Sequence, residues 1–258
     1  MKKNIIPVLV IVLIGVVIGL IVRDGSSSEP VVAVKENKAV NQAQEYTPTP
    51  IDFVSTRPEV VSLPVEVLSA SEKSGLLYMR EEEKLARDVY TTLYEKWGLQ
   101  IFVNIAQSEQ THTEAVRDLL VKYDIPDPVT DDTIGVFSDT SLQALYDSLV
   151  VQGSVSEIEA LKVGALIEDL DIFDLQKNLA EVDNADITLV YSNLERGSKN
   201  HLRAFVRQLD LRGGEYQAQY IDAAEYTEII STDSSAARGV GGQNTDAGKG
   251  CRGWGKSQ

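Results

Sequence analysis

The sequence predicts an all-α fold: four long helices joined as two tight pairs by one long crossover, with short accessory helices. Three observations carry that expectation. Apolar residues recur at helical spacing through four long segments between about residues 71 and 209. Those segments contain no proline, the residue that breaks helices. The two prolines between them, Pro126 and Pro128, fall in the stretch "DIPDPVTDDTIGVFSDTSLQALYDSLVVQG". That stretch is long, whereas the first and second segments, and the third and fourth, almost abut. An up-and-down bundle would use short loops throughout.

The elements follow in chain order. The first helix spans about 71 to 97, opens on Ser69 and Glu72 in the S-x-x-E capping pattern and stops before Gly98. The second runs from about 100 to 123. Within the crossover, 142 to 150 reads as a short helix. Ser156 and Glu159 repeat the capping pattern and open the third helix, which reaches about residue 179. The fourth extends from about 186 to 209, and "GGEYQAQYIDAAEYTEII" adds a shorter terminal helix.

Outside residues 69–230 the composition changes. Residues 1–23 begin with Lys2 and Lys3 and carry an uninterrupted apolar run from Ile5 to Val22. At a rise of about 1.5 Å per residue this run nearly crosses a hydrocarbon core of roughly 30 Å. The expectation is a transmembrane anchor, with Lys2 and Lys3 cytoplasmic and the rest of the chain outside. Secretion after cleavage is the alternative, although no A-x-A-like site follows the run. Residues 24–68 hold Pro30, Pro48, Pro50, Pro58 and Pro64 and no sustained period, which reads as a disordered tether. Residues 231–258 are rich in Gly and Ser and read as a disordered tail.

Composition excludes several functions. The formal charge of −15 over 258 residues is wrong for phosphate backbones, so nucleic acid is not an expected partner. Cys251 is the only cysteine, so neither an internal disulfide nor a cysteine-based zinc site can form. No nucleophile elbow, phosphate loop or dinucleotide fingerprint occurs. A homo-oligomer stays open.

The informative residues are polar ones on apolar faces. In the first helix Met79, Leu85, Ala86, Val89, Tyr90, Leu93 and Trp97 form the stripe, and Glu82 of the run Glu81, Glu82, Glu83 reads as the inward residue. In the second, Phe102, Ile105 and Ala106 lead to Glu109 and His112, then to Val116, Leu119 and Leu120. Glu168, with Asp171 beside it, interrupts the stripe of the third helix. Ser198 and His201 interrupt that of the fourth. Tyr78, Tyr90 and Tyr191 read as packing residues with satisfied hydroxyls, the alternative being redox-active or hydrogen-bonding neighbours of the inward polar residues. Any one inward acid is ordinarily an edge residue, and a lone inward histidine is ordinarily a core residue. Several converging carboxylates are different, because burying each unpaired one costs several kcal/mol. A bound cation is the simplest compensation, and carboxylates with imidazoles suit iron or manganese.

The segments "YMREEEKLARDVYTTLYEKWG", "SEQTHTEAV", "GALIEDLDIFDL" and "NLERGSKNHLRAF" resemble the ferritin-like superfamily, in particular its uncharacterised domain-of-unknown-function branch of bacteria and archaea. The resemblance covers about residues 71–230. It implies a ferritin-like four-helix bundle whose di-metal centre takes one Glu from each of two helices and a Glu-x-x-His pair from each of the other two. It assigns Glu82 and Glu168 as the single carboxylates, Glu109 and His112 as the first pair, and His201 as the end of the second. Ser198 stands where the second pair's glutamate belongs, and Asp171 is the candidate for the missing oxygen. The activity implied is oxidase, peroxidase or ferroxidase chemistry at iron or manganese. A non-catalytic, membrane-tethered helical module for binding or structure is the alternative.

Overall fold

The computed structural model describes residues 53–232, with side chains from residue 57. The expectations for residues 1–23, for the first part of the tether and for the tail after residue 232 lie outside them. None of the described helices is long and apolar enough to cross a membrane. Seven helices occur among the described residues: α1 (Phe53–Ser62), α2 (Ala70–Trp97), α3 (Gln100–Lys122), α4 (Thr140–Gly153), α5 (Glu157–Leu179), α6 (Ala185–Asp210) and α7 (Ala223–Ser231).

The local signals act where the sequence puts them. Ser69 caps α2 through the N–H of Glu72, and the Glu72 carboxylate accepts from the Ser69 N–H in return, a closed capping box. Gly98 ends α2 at φ 65°, a left-handed conformation that a side chain would resist, and α3 starts two residues later. Ser156 caps α5 through the Glu159 N–H. Two boundaries differ from expectation. The crossover helix is longer, because Asp139 caps it through the N–H groups of Ser141 and Leu142. The terminal helix is shorter, because residues 215–222 run irregularly until Asp222 caps α7.

One segment corrects the tether. Residues 53–62 are helical despite Pro58, and α1 packs on α3 and α6. Its C-terminal carbonyls are held from outside: Lys122 Nζ donates to the Val60 and Leu63 oxygens at 2.8 and 2.9 Å. Ten residues have too little periodicity of their own to announce such a helix, and packing decides it.

The long helices pack in a closed ring. α2 lies along α3, α5 lies along α6, and the α2–α5 and α3–α6 contacts join the pairs, with α4 against α2 and α5 and α7 on α6. The interior is layered. One apolar cluster holds Leu85, Val89, Tyr90, Phe102, Ile105, Leu161, Phe205 and Leu209 among others. The rings of Tyr90, Phe102 and Phe205 meet there with centroids 5.3 to 6.1 Å apart. Gly164 lets α5 approach Phe205, since a Cβ would come within 2.3 Å of that ring. The second cluster holds Leu76, Met79, Val116, Leu120, Leu175, Ile187 and Tyr191. Each of the four helices passes from one cluster to the other, and at the crossing level each is polar.

Candidate metal centre

The polar layer is built from Glu82 and Glu83 on α2, Glu109 and His112 on α3, Glu168 and Asp171 on α5, and Ser198 and His201 on α6, all buried. Glu109 is at its middle. Its Oε2 lies 2.7 Å from His112 Nδ1 and its Oε1 lies 2.7 Å from His201 Nδ1. His112 Nδ1 also faces Glu83 Oε2 at 3.3 Å, and His201 Nδ1 faces Glu168 Oε2 at 3.5 Å. The two imidazoles stack with centroids 5.5 Å apart. Two groups result, Glu83–Glu109–His112 and Glu109–Glu168–His201. Each offers three ligand atoms within 4.8 Å of one another, and Glu109 belongs to both.

Neighbouring groups orient these side chains. Tyr90 donates to Glu168 Oε1 at 2.6 Å, fixing that carboxylate from within the apolar cluster. Ser198 donates to Asp171 Oδ2 and back to the Leu194 carbonyl, so the residue in the second pair's glutamate position holds an acid of α5 instead. The Tyr191 hydroxyl, expected to be satisfied, has no hydrogen-bond partner among the described residues.

The electrostatics are those of a site short of positive charge. Burial pushes the carboxyls of Glu82, Glu168 and Asp171 upward and takes Glu83 to about 7. Burial presses on Glu109 as well, but the imidazoles on both sides outweigh it and hold its carboxyl well below the usual range. Conversely, Glu109 and Glu83 raise His112 against the effect of burial, and Glu109 and Glu168 raise His201 to about 9. The layer thus holds five acids and two imidazoles. Nearby cations are engaged elsewhere: Arg80 with Asp127, Lys84 with Asp88 and Arg87 with Asp132.

The donor set fits metal ions. Ligands at about 2.0–2.2 Å from a cation stand about 2.8–3.1 Å apart at octahedral corners and about 3.3–3.6 Å apart at tetrahedral ones. The carboxylate–imidazole separations, 2.7 to 3.5 Å, are close to that span.

Of the residues expected from sequence, Glu109, His112, Glu168 and His201 come together. Glu82 and Asp171 stand beside the two groups and in neither. Glu83, passed over in the sequence for Glu82 as the inward residue and so left to the margin of the stripe, faces His112. The reason is angular. At about 100° per residue, Glu82 and Glu83 fall on opposite sides of the Met79–Tyr90 line, one towards α5 and the other towards α3. The supposed margin is itself covered, because the crossover lies on it: Glu81 accepts from the Ser138 and Asp139 N–H groups, and Lys84 donates to the Thr133 and Val136 carbonyls.

Fold and site together define an all-helical protein with a buried layer of acids and imidazoles between two apolar clusters. The chain belongs to the family described as an uncharacterized protein domain, DUF2202, which matches residues 72–233. It is 60% identical over 181 residues to the uncharacterized protein MJ0754 of Methanocaldococcus jannaschii, a match covering 70% of this chain and 97% of that protein. It is also similar to the crystal structure of hypothetical protein MJ0754 from Methanococcus jannaschii, with a TM-score of 0.66 and 61% identity over 67% of this chain and 98% of that one.

Proposed function

We propose that the chain is a ferritin-like metal-binding protein whose four long helices would hold two iron or manganese ions, with Glu109 as the residue common to both positions. Glu83 and His112 would complete one position, and Glu168 and His201 the other. The observation that carries this reading is the placement of Glu109, with each carboxylate oxygen 2.7 Å from a different imidazole nitrogen. One acid serving both imidazoles lets the two groups share a ligand. The ring of four helices with a long crossover is the matching scaffold.

When bound, such a pair of cations supplies electron transfer and activation of a small oxidant such as oxygen or peroxide. The protein's own part is to orient and to exclude water. Tyr90 holds Glu168 by a 2.6 Å hydrogen bond, Ser198 holds Asp171, and the two apolar clusters seal the layer. The lopsided second pair, with Ser198 in place of a glutamate, lowers the negative charge at the His201 side. It also favours a second reading, a metal-free helical module in which both imidazoles are protonated against Glu109. The apolar run at residues 5–22 supports membrane attachment with the helices outside the cytoplasm, or secretion after cleavage.

Elemental analysis of protein produced in iron- and manganese-supplemented medium separates the two. About two equivalents, falling towards zero in His112→Gln/His201→Gln, are expected of the metal centre. Less than about one equivalent, with stability unchanged by chelator, would leave the metal-free module.

A further inference from the structure

Where α1 packs on α3 and α6, a groove of about 400 Å3 stays open, within the roughly 300–1,000 Å3 of clefts that take small ligands. Val60 and Val61 of α1, Leu63 and Val65 of the connection after it, Val121 of α3 and Val190 of α6 line it. Protein does not cover them all: Val61, Val65 and Val121 are 62 to 73% exposed. Scattered singly, such residues need no explanation; gathered round one cavity, they mark an interaction surface. The polar groups at the groove are engaged within the chain. Arg57 pairs with Asp118 at 2.8 Å, Glu114 accepts from Gln110, and Thr111 donates to the Gln107 carbonyl. Lys122 is shared by Asp186 and the Val60 and Leu63 carbonyls, so it satisfies the end of α1, which hydrocarbon could not.

An occupant of this groove gains burial of apolar surface and finds its polar neighbours already paired. A hydrocarbon chain asks for nothing more, whereas a peptide brings backbone groups that need partners. The charge agrees with lipid of one kind. Arg57 and Lys122 balance Glu114 and Asp118 around the groove, which suits a zwitterionic surface, while the net charge of −15 disfavours an anionic one. The chain also brings lipid to the groove. Residues 23–52 separate the apolar run at 5–22 from the start of α1, and a coil of that length averages roughly 30 Å end to end. A bilayer holding the run therefore presents lipid beside α1 at a local concentration that a soluble partner does not match. We propose that this face docks on the bilayer that holds the N-terminal run, with Val61, Val65 and Val121 entering the interface and the groove taking an acyl chain of a zwitterionic phospholipid. The inference rests on the membrane attachment proposed above and is independent of the metal centre.

The test uses the full chain with Cys251→Ser, reconstituted into phosphatidylcholine vesicles. It carries one nitroxide label at a time, introduced through Val65→Cys, through Val121→Cys or, as a control outside the groove, through Val155→Cys. Electron paramagnetic resonance compares collisions of each label with oxygen, which enters lipid, and with a nickel chelate, which stays in water. The Val65 and Val121 labels should lie about 5–10 Å below the lipid phosphates, the depth of an apolar face at the headgroup boundary, and the Val155 label should stay in water. Adding Val61→Ser and Val65→Ser to the chain labelled at Val121 should return that label to water. Groove labels as open to the chelate as the Val155 label, in protein that floats with the vesicles, would overturn the inference alone. Dipolar broadening at Val121 without lipid contact would put a second copy on this face and also overturn it. Protein that does not float with the vesicles would remove the membrane attachment and the docking together.

Discussion

α2 and α5 each carry two kinds of buried acid a residue or two apart, and their surroundings are opposite. On α5, Asp169 accepts from the Tyr216 hydroxyl at 2.7 Å and from the N–H groups of Gln219, Tyr220 and Ile221, while its neighbour Glu168 accepts from Tyr90 and faces His201. On α2, Glu72 and Glu81 collect backbone N–H groups, and Asp88 takes Lys84, Arg87 and the Gly135 N–H. Glu82 and Glu83 collect none. The first kind pins connections onto the helices: the crossover onto α2, and residues 216–221 onto α5. The second kind is left to a proton, an imidazole or a metal. Burial alone therefore does not mark a functional acid. What sets the candidate ligands apart is burial without backbone N–H donors.

The largest effect is expected where this contrast is sharpest. Glu109→Gln removes the one acid shared by both groups and should lower bound metal to a small fraction of wild type by elemental analysis, with the helical circular dichroism retained. Asp169→Ala should do the reverse. It leaves a tyrosine hydroxyl and three backbone N–H groups without their acceptor, a loss of roughly 2–4 kcal/mol by denaturant unfolding, with metal content unchanged. If the two variants lost metal and stability alike, the distinction would fail.

A third prediction uses pH. Glu83, raised to about 7, and His201, raised to about 9, are both more easily protonated when folded than when unfolded. Their contribution to stability is complete below their unfolded values and disappears as pH climbs through the folded ones. Glu109, held low, contributes evenly over that range. Chelator-stripped protein should thus lose thermal stability steadily from about pH 5 to 9, and added manganese should protect it more at the upper end, because metal displaces protons from these groups. A flat profile would mean that the layer is neutralised in some other way. The smallest effect belongs to an acid of neither kind. Asp118 on α3 pairs with the exposed Arg57, and Asp118→Asn should cost less than about 0.5 kcal/mol with metal content unaltered.

Much of this was legible in one dimension. The helical periods, the Ser69–Glu72 box, the Gly98 stop and the Ser156 cap place α2, α3 and α5, and the interrupted stripes single out Glu109, His112, Glu168 and His201. Less legible was the choice between Glu82 and Glu83, since both flank the same apolar line and only the positions of α3 and α5 separate them. α1 was hidden by Pro58 and by having too few residues to show a period.

What the sequence by itself determined was the four long helices and the level at which each turns polar, because periodicity and capping are properties of neighbours within about one turn. Only the tertiary structure decided which buried acid receives N–H groups and which does not. That depends on segments far apart in the chain, residues 133–139 over α2 and 216–221 over α5, reaching one side chain and leaving the next one bare.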